Sequence, residues 1–330
     1  MSGVPVGILV TGSSGHLGEA LVSVLRDAGH DVAGLDVLPS PTTTLAGSVA
    51  DRGLVRRALR GADAVIHSAT LHKPHIGTHS WDEFVETNVT GTMTLLEEAV
   101  AAGVGRFVFT STTSAFGRAL TPGPGEPAAW ITEDVRPVPR NIYGVTKVAA
   151  EDLCELAHRE HGLPCLILRT SRFFPEPDDR DDVRAAYDDA NLKVNELLNR
   201  RVDLEDVVAA HRLALDRAPE IGFGRYVISA TTPFTRDDLA DLRTDAAAVV
   251  RRRVPGAADV YEARGWRLPD ALERVYVNDR ARAELGWAPA WDFRRALDAV
   301  AAGEPPRSAL ATAIGAKGYH AGTTGVYTAR

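Results

Sequence analysis

The feature that most constrains this chain is an apolar run, Val6–Val10, that leads into three glycines spaced three residues apart. After these glycines, Gly12, Gly15 and Gly18, apolar positions recur with helical spacing to about Ala28, which predicts a buried strand, a tight turn and a helix. Glycines let a ligand approach the backbone, and a helix N-terminus offers unpaired N–H groups and partial positive charge. This arrangement suits a pyrophosphate, so the sequence predicts a dinucleotide site. An ordinary strand–turn–helix is the alternative.

Strands and helices alternate over the first half of the chain. Further strands are predicted at Asp31–Asp36, Ala64–Ala69, Arg106–Thr110 and Pro164–Arg169, with helices at about 52–60, 81–102 and 143–161. This alternation predicts an α/β protein with a Rossmann, doubly wound parallel sheet. We therefore expect an NAD-binding Rossmann domain at 1–170 (completed by about 201–230), a smaller C-terminal substrate lobe at 171–200 and 231–304, and an extended tail at 305–330.

Composition argues against several classes of function. The 330 residues are 45% hydrophobic, which suffices for a sizeable core, and the formal charge is -7 with acids and bases interspersed. Without a Lys/Arg block, nucleic acid is not an expected partner. No apolar run approaches the ~20 residues of a membrane span, so membrane is not an expected partner either. The first strand leaves no room for a signal peptide, and Cys154 and Cys165 fit buried free thiols, so we expect a cytoplasmic protein.

An acidic residue ends the second predicted strand. Asp36 lies 24 residues beyond Gly12. In a dinucleotide fold such an acid accepts hydrogen bonds from the adenosine ribose hydroxyls and repels a 2′-phosphate. No Arg or Lys follows within the next several residues, which favours NAD over NADP as the cofactor. The alternative is a solvated aspartate at a strand end, since surface acids are common.

Histidines are concentrated around the third predicted strand and the loop that follows it. His67 ends the strand, where it could face the cofactor or, more commonly for a lone histidine, serve as a packing residue. His72, His75 and His79 lie on the loop, but their spacing matches no standard zinc pattern, so no metal is predicted. The loop, with His72 and Lys73, could instead touch a polar substrate or be solvated.

A tyrosine, a lysine and a hydroxyl cluster form the predicted reaction centre. Tyr143 and Lys147 are four residues apart, so they share one face of a helix. The cluster Ser111-Thr112-Thr113-Ser114 follows the fourth predicted strand, where open α/β sheets bind ligands. A nearby lysine and a positively charged nicotinamide both favour the phenolate of a tyrosine, whose usual pKa is about 10. Such a site can remove a proton from an alcohol while the cofactor takes a hydride from the same carbon.

Three stretches carry a resemblance to a known family: Thr11-Gly12-Ser13-Ser14-Gly15-His16-Leu17-Gly18, Tyr143-Gly144-Val145-Thr146-Lys147 and Leu285-Gly286-Trp287. Over roughly residues 4–300 the chain resembles the extended short-chain dehydrogenase/reductase family. Within that family it is similar to the NAD-dependent epimerase/dehydratase branch, which includes the UDP-glucose 4-epimerases. The resemblance implies NAD, a small sugar-like substrate, and homodimers that pair the helices Trp81–Ala102 and Tyr143–His161.

The resemblance also implies roles for individual residues. Tyr143 is expected to be the catalytic acid/base, Lys147 to hold the nicotinamide ribose and lower the pKa of the tyrosine, and Thr112 to occupy the Ser/Thr position, with Asn88 as a fourth catalytic residue. Besides Tyr143 and Lys147, the expected cofactor contacts are Gly12, Ser14, Gly15, His16, Leu17, Gly18, Asp36, Ser48, Val49, His67, Ser68, Ala69 and Ser111. The expected substrate contacts are His72, Lys73, Thr113, Ser171, Arg172 and Arg201.

The chain departs from the family pattern at three places. Ser48 stands where the family usually has an acid that contacts the adenine amine, although the Val49 N–H could still serve. Phe116 replaces the tyrosine often found before Gly117. The segment from Phe173 to Arg201 is shorter than the one that grips the base in nucleotide-sugar epimerases, and it is predicted to contain an acidic loop and one helix.

Three functions remain open from the sequence. The first is NAD-dependent epimerase or dehydratase chemistry at a secondary alcohol of a sugar or nucleotide-sugar, for example 4-epimerisation, with NAD retained. The second is a net dehydrogenase of a free sugar, a uronate or another hydroxy compound. The third is a non-catalytic NAD-binding regulator, which would not need an intact set of Thr112, Tyr143 and Lys147.

Overall fold

A seven-stranded sheet organises the fold in the computed structural model, which describes residues 6–178 and 180–317. The order of its strands is β3-β2-β1-β4-β5-β7-β8, and the strand registers from β3 through β7 are parallel. This confirms the predicted Rossmann-type α/β fold. The strands of this sheet are β1 (Gly7–Thr11), β2 (Asp31–Asp36), β3 (Leu45–Ala46), β4 (Ala64–His67), β5 (Arg106–Thr112), β7 (Cys165–Thr170) and β8 (Phe223–Ile228); β6 (Ala129–Ile131) and β9 (Arg274–Tyr276) form a separate pair.

The chain divides into two compact units. Among the described residues, the first comprises 6–117, 137–170 and 208–226, and the second comprises 118–136, 171–207 without 179, and 227–317. The first unit contains helices α1 (His16–Asp27), α2 (Arg52–Ala58), α3 (Trp81–Val85), α4 (Gly91–Ala101) and α5 (Ile142–His161), and α8 (Leu204–Ile221) runs from the second unit into the first. The second unit contains α6 (Asp181–Ala186), α7 (Asp189–Leu197), α9 (Asp241–Thr244), α10 (Ala246–Arg253), α11 (Ala257–Arg264), α12 (Asp279–Leu285), α13 (Phe293–Ala301) and α14 (Ala309–Ile314).

Local sequence explains where the main elements begin and end. The central residues of β1, Ile8, Leu9 and Val10, are almost fully buried, as expected for a parallel strand covered on both faces. Asn141 caps α5 by accepting a hydrogen bond from the Gly144 N–H at 3.0 Å, which satisfies one of the otherwise unpaired donors of the first turn. Gly162 ends the same helix in the left-handed conformation, with φ of 68°.

The predicted helix 81–102 is interrupted. Helices α3 and α4 are joined by a π-helical turn over Glu86–Thr90, which carries Asn88. A π turn inserts one extra residue into the helical repeat and therefore rotates the following side chains relative to the preceding ones. Apolar spacing alone does not detect such an insertion, because the face remains apolar on both sides of it.

The predicted domain boundaries require correction. Residues 118–136 were expected in the first domain, but they belong to the second unit because β6 pairs with β9 and Glu133 accepts a hydrogen bond from the Val227 N–H at 2.8 Å. Residues 201–207 and 227–230 also belong to the second unit. The segment 173–201 contains two short helices, α6 and α7, instead of one.

The predicted extended tail is also wrong for its first part. Ser308 caps α14 through the Ala311 N–H, and its own N–H and hydroxyl both donate to the carboxylate of Asp203, at 3.0 and 2.5 Å. This buried anchor lets the short helix form. Residues 318–330 of the predicted tail lie outside the described residues. Within 6–178 and 180–317, none of the helices has the length and apolar character needed to cross a bilayer.

Candidate active site

The glycine loop connects β1 to α1, and its glycines have different structural roles. Gly12 has a φ of +71°, and an added Cβ would lie 2.7 Å from the Ala69 nitrogen. At Gly18 an added Cβ would lie 1.9 Å from the Gly12 carbonyl oxygen. Packing therefore requires these two glycines. Gly15 is exposed, and its added Cβ would meet only the Gly12 oxygen, at 3.3 Å, so the backbone beside the first turn of α1 is open to a pyrophosphate.

Asp36 lies beside this loop. One of its carboxylate oxygens accepts a hydrogen bond from the Ser14 N–H at 2.9 Å, and the other accepts one from the Leu38 N–H at 2.9 Å. The Ser14 hydroxyl contacts the Leu38 carbonyl and the Thr43 hydroxyl at 2.7 and 2.8 Å. The half-exposed carboxylate is thus held in a fixed position next to the start of α1, as an acid that binds ribose hydroxyls requires.

The other predicted cofactor contacts are more varied in their surroundings. The Ser48 hydroxyl accepts from the Ala50 N–H at 3.1 Å, so it shapes its own turn, and the Val49 side chain is buried. The Ser68 hydroxyl donates to the Thr11 carbonyl at 2.7 Å. His16 and Leu17, in the first turn of α1, are buried. The hydroxyls of Ser48 and Ser68 are therefore engaged in hydrogen bonds within the protein.

His67 is a packing residue in the structure. Its ring is fully buried, with Nδ1 2.7 Å from the Thr11 hydroxyl and Nε2 2.9 Å from the Thr92 hydroxyl. Burial, together with the charge of Lys147, lowers the pKa of His67 to about 3, so the ring is neutral at physiological pH. The prediction that His67 faces the cofactor therefore applies at most to its backbone.

Asn88 fixes the position of the helix that carries Tyr143. Its amide oxygen accepts from the Leu71 N–H at 2.8 Å, and its amide nitrogen donates to the Leu71 carbonyl at 2.9 Å and to the Thr146 hydroxyl at 3.0 Å. Thr146 in turn donates to the Ile142 carbonyl at 2.9 Å. The π turn places this amide at the contact between the loop and α5. Asn88, predicted as catalytic, is held here by structural hydrogen bonds.

Tyr143 and Thr112 lie together in the structure, as predicted. Their side chains share a hydrogen bond, and both are nearly buried. Burial raises the pKa of Tyr143 to about 12, and the hydrogen bond with Thr112 offsets part of that rise. The causes of this shift in the structure are burial and Thr112, so the expectation that Lys147 lowers the pKa of Tyr143 stays a prediction. Thr113 follows at the start of a short 3-10 turn and is also buried.

Lys147 lies one helical turn beyond Tyr143. Its ammonium group lies 3.9 Å from the centroid of the Phe109 ring, and the side chain is almost fully buried. Burial lowers the pKa of Lys147 to about 7, while Cys154 and Glu151 act in the opposite direction. The ammonium and the neutral amine are therefore both populated near neutral pH.

A buried ion pair next to Lys147 was not predicted from the sequence. Glu151 accepts hydrogen bonds from the Ser111 hydroxyl at 2.5 Å and from the Arg169 guanidinium at 2.7 Å, and all three side chains are buried. Ser111 was expected to contact the cofactor, but its hydroxyl is bound to Glu151 instead. The only signal in the sequence was the position of Glu151 on the same helical face as Tyr143 and Lys147.

The histidine loop also belongs to the first unit. The ring centroids of His72 and Tyr143 are 6.4 Å apart, and those of His72 and His75 are 4.7 Å apart. Lys73 is exposed. Across the described part of the chain, no group of three or more His, Cys, Asp or Glu side chains is arranged to hold a metal ion.

The remaining predicted substrate residues lie in the second unit. Arg172 forms ion pairs with Asp178 at 2.5 Å and with Glu196 at 3.1 Å, and Arg201 forms one with Glu196 at 2.7 Å. These acids offset much of the positive charge of the two guanidinium groups. The Ser171 hydroxyl is buried and has no hydrogen-bond partner among the described residues.

The Glu151–Arg169 pair predicts a large effect on stability. Replacing Glu151 by Ala leaves a buried guanidinium without its carboxylate, which should lower the free energy of unfolding by about 3–5 kcal/mol in urea denaturation. Asp152→Ala removes the neighbouring, mostly exposed carboxylate of the same helix and should change it by less than about 0.5 kcal/mol. Equal effects of the two substitutions would contradict the structural role given to Glu151.

Comparisons with known proteins agree with this fold. A curated relative described as an uncharacterized protein of Sinorhizobium fredii is 36% identical over 169 residues, 49% of this chain and 39% of that protein. A dTDP-glucose 4,6-dehydratase of Streptomyces antibioticus is 29% identical over 334 residues, covering 88% of this chain and 90% of the relative.

A solved structure extends the comparison to the cofactor. A short-chain dehydrogenase/reductase superfamily protein from Agrobacterium tumefaciens, crystallised with bound NAD, superposes with a TM-score of 0.65 at 26% identity, covering 90% of this chain and 96% of that one. The model of the NAD dependent epimerase/dehydratase family matches residues 8–228. The cofactor is accordingly NAD, and the chain belongs to the NAD-dependent epimerase/dehydratase family of extended short-chain dehydrogenase/reductase enzymes.

Proposed function

We propose that this enzyme oxidises a secondary alcohol of a sugar-like substrate, with Tyr143 as the acid/base. The observation that carries the proposal is the hydrogen bond between Tyr143 and Thr112, with Lys147 one helical turn away. These three side chains lie at the ends and faces of elements packed in the same unit as the glycine loop. Two hydroxyls in contact can bind the same substrate oxygen, one orienting it and the other exchanging its proton.

The protein supplies orientation and proton transfer in this mechanism. Thr112 holds the substrate hydroxyl, and Tyr143 accepts its proton once the phenol has become phenolate. Because burial keeps the pKa of Tyr143 at about 12, a positive charge close to the phenol is needed to favour that phenolate. Lys147 supplies such a charge when it is protonated. NAD, when bound, provides the hydride acceptor and a positively charged nicotinamide ring.

For the substrate, we propose a free sugar or another hydroxy compound, oxidised in a net dehydrogenase reaction. This follows from the second unit, where Arg172 and Arg201 are paired with Asp178 and Glu196. A diphosphate would have to compete with these carboxylates for the guanidinium groups. Epimerase or dehydratase chemistry with retained NAD is the second candidate, supported by the family and by the dehydratase relative.

Product analysis of the wild type separates these functions, and the Tyr143→Phe variant tests the role of the phenol as acid/base. The protein is incubated with NAD and panels of free and nucleotide sugars, while NADH absorbance and isomerised or dehydrated products are followed. A net dehydrogenase accumulates NADH, whereas an epimerase or dehydratase forms product without it. Loss of the phenolic hydroxyl should reduce turnover by about 100-fold or more, because general acid–base catalysis contributes 10²–10⁴.

Two results would contradict this assignment. Full turnover by Tyr143→Phe would show that another group exchanges the proton. NAD binding without turnover of any compound would favour the third possibility, a non-catalytic NAD-binding regulator. Tyr276→Phe is the matched control, since it removes a buried phenolic hydroxyl from the second unit and should leave turnover unchanged.

We further propose that the protein is a homodimer formed through the first unit. Large apolar side chains are exposed on α3, α4 and α5: Trp81 is 73% exposed, Val145 51%, Val85 44% and Met93 38%. Several exposed apolar side chains on helices that pack together favour an interaction surface. The surface needs a partner, and the resemblance to the family supports a second copy of the chain.

Light scattering during size-exclusion chromatography tests the dimer. The wild type should elute with twice the mass of the 35.4 kDa chain, and Val145→Glu combined with Trp81→Glu should give the monomer, because burying two carboxylates in an apolar interface is unfavourable. Leu120→Glu changes an equally exposed apolar residue of the second unit and should remain dimeric. A monomeric wild type would refute the proposal.

A further inference from the structure

We propose that the loop from His72 to His79 binds an anionic group, a carboxylate or a phosphate, that the substrate carries near its reacting alcohol. This inference rests on the proposed role of Tyr143, and it adds a substrate class to that function: hydroxy compounds with a negative charge, such as sugar acids or sugar phosphates. The loop would thus determine specificity, while Tyr143 and Thr112 act on the alcohol itself.

The position of His72 is the first observation. Its ring meets the Tyr143 ring edge-on, with centroids 6.4 Å apart and planes at 67°. Both residues are about 9% exposed, so each retains some accessible surface. A substrate whose hydroxyl contacts Tyr143 therefore places the substituents of the neighbouring carbons within reach of the His72 ring. An imidazole can donate a hydrogen bond to a carboxylate or phosphate oxygen, and it gains a proton more readily beside an anion.

The second observation is that the loop is preorganised. The His72 N–H donates to Nδ1 of His75 at 2.9 Å, and the His75 N–H donates back to the His72 carbonyl at 2.9 Å. Because Nδ1 of His75 accepts, the neutral ring carries its proton on Nε2. The His75 ring lies edge-on to His72 at 4.7 Å and to His79 at 5.1 Å. His75 thus fixes the backbone of His72 and packs against the other two rings, and His72 is the one next to Tyr143.

The third observation is the charge of the segment. From His72 to His79 there are four basic or imidazole side chains and no acid, in a chain whose formal charge is -7. Glu83, on the neighbouring α3, accepts from the Ser80 N–H at 2.7 Å and interacts with His79, at the end of the loop away from His72. Lys73, adjacent to His72 and exposed, adds a full positive charge. The loop is therefore a local site for negative charge beside the reaction centre.

Kinetics with matched charged and neutral compounds test this inference. NADH formation is measured with D-glucuronate, D-gluconate and glucose 6-phosphate against D-glucose and D-glucitol. The anionic compounds should have KM values about 10-fold or more below those of the neutral ones. In His72→Gln the ratio of the neutral to the anionic KM values should fall about 10-fold, towards 1, since a hydrogen bond to a charged group is lost. The carboxylates and the phosphate are separate arms that identify which anion the loop prefers.

Two further variants keep the test decisive. Lys73→Gln alters an exposed side chain, so it should fold normally, and it should lower the same ratio by a smaller factor because its charge is more solvated. His161→Gln removes an exposed imidazole from the last turn of α5 and should leave the ratio unchanged. Binding of NAD, followed by tryptophan fluorescence, shows whether each variant retains its folded cofactor site.

The outcomes distinguish this inference from the proposed function. Neutral compounds oxidised with KM values equal to those of the anions, or an unchanged ratio in both His72→Gln and Lys73→Gln, would overturn the inference and leave Tyr143 chemistry standing. A wild type that binds NAD but forms no NADH with any compound would instead contradict the net dehydrogenase function on which the inference rests.

Discussion

The contact on which the reaction centre depends most is the buried ion pair between Glu151 and Arg169. The carboxylate lies on α5, two helical turns beyond Tyr143, while its partners come from two neighbouring strands, Ser111 on β5 and Arg169 on β7. Ser111 precedes Thr112 directly. One carboxylate therefore fixes the distance between the strand that carries the threonine and the helix that carries the tyrosine. Breaking such a pair leaves a buried charge without a partner, so a shift of the helix would cost much free energy.

Asn88 holds the same helix from its other side, through Thr146 and the loop at Leu71. Together these polar contacts leave α5 little freedom to rotate, which matters because a proton transfer requires heavy atoms within hydrogen-bond distance. The burial that makes this rigidity possible also has an electrostatic cost. It raises the pKa of Tyr143 to about 12 and lowers that of Lys147 to about 7, so the protein alone disfavours both the phenolate and the ammonium.

Much of the fold could be predicted because its determinants are local. Parallel strands that are covered on both faces consist of short apolar runs. Asp51 and Asn141 mark the starts of helices because their side chains can cap the first turn. The glycine loop is recognisable because close backbone contacts exclude any other residue at Gly12 and Gly18. The grouping of Thr112 with Tyr143 followed from the order of the elements, since Thr112 ends a strand at the edge where open α/β sheets bind ligands and Tyr143 lies in the first turn of the next long helix.

Pairings between residues that lie far apart in the sequence could not be predicted. A glutamate on a helix normally implies a solvated face, and nothing local marks Glu151 as the partner of Arg169. The sequence also could not show that Arg172 and Arg201 are neutralised. In the structure their guanidinium groups form ion pairs with Asp178 and Glu196. Residues 118–136 lack regular patterning, yet they join the second unit through β6, because a three-residue strand is specified by its partner β9 and not by its own sequence.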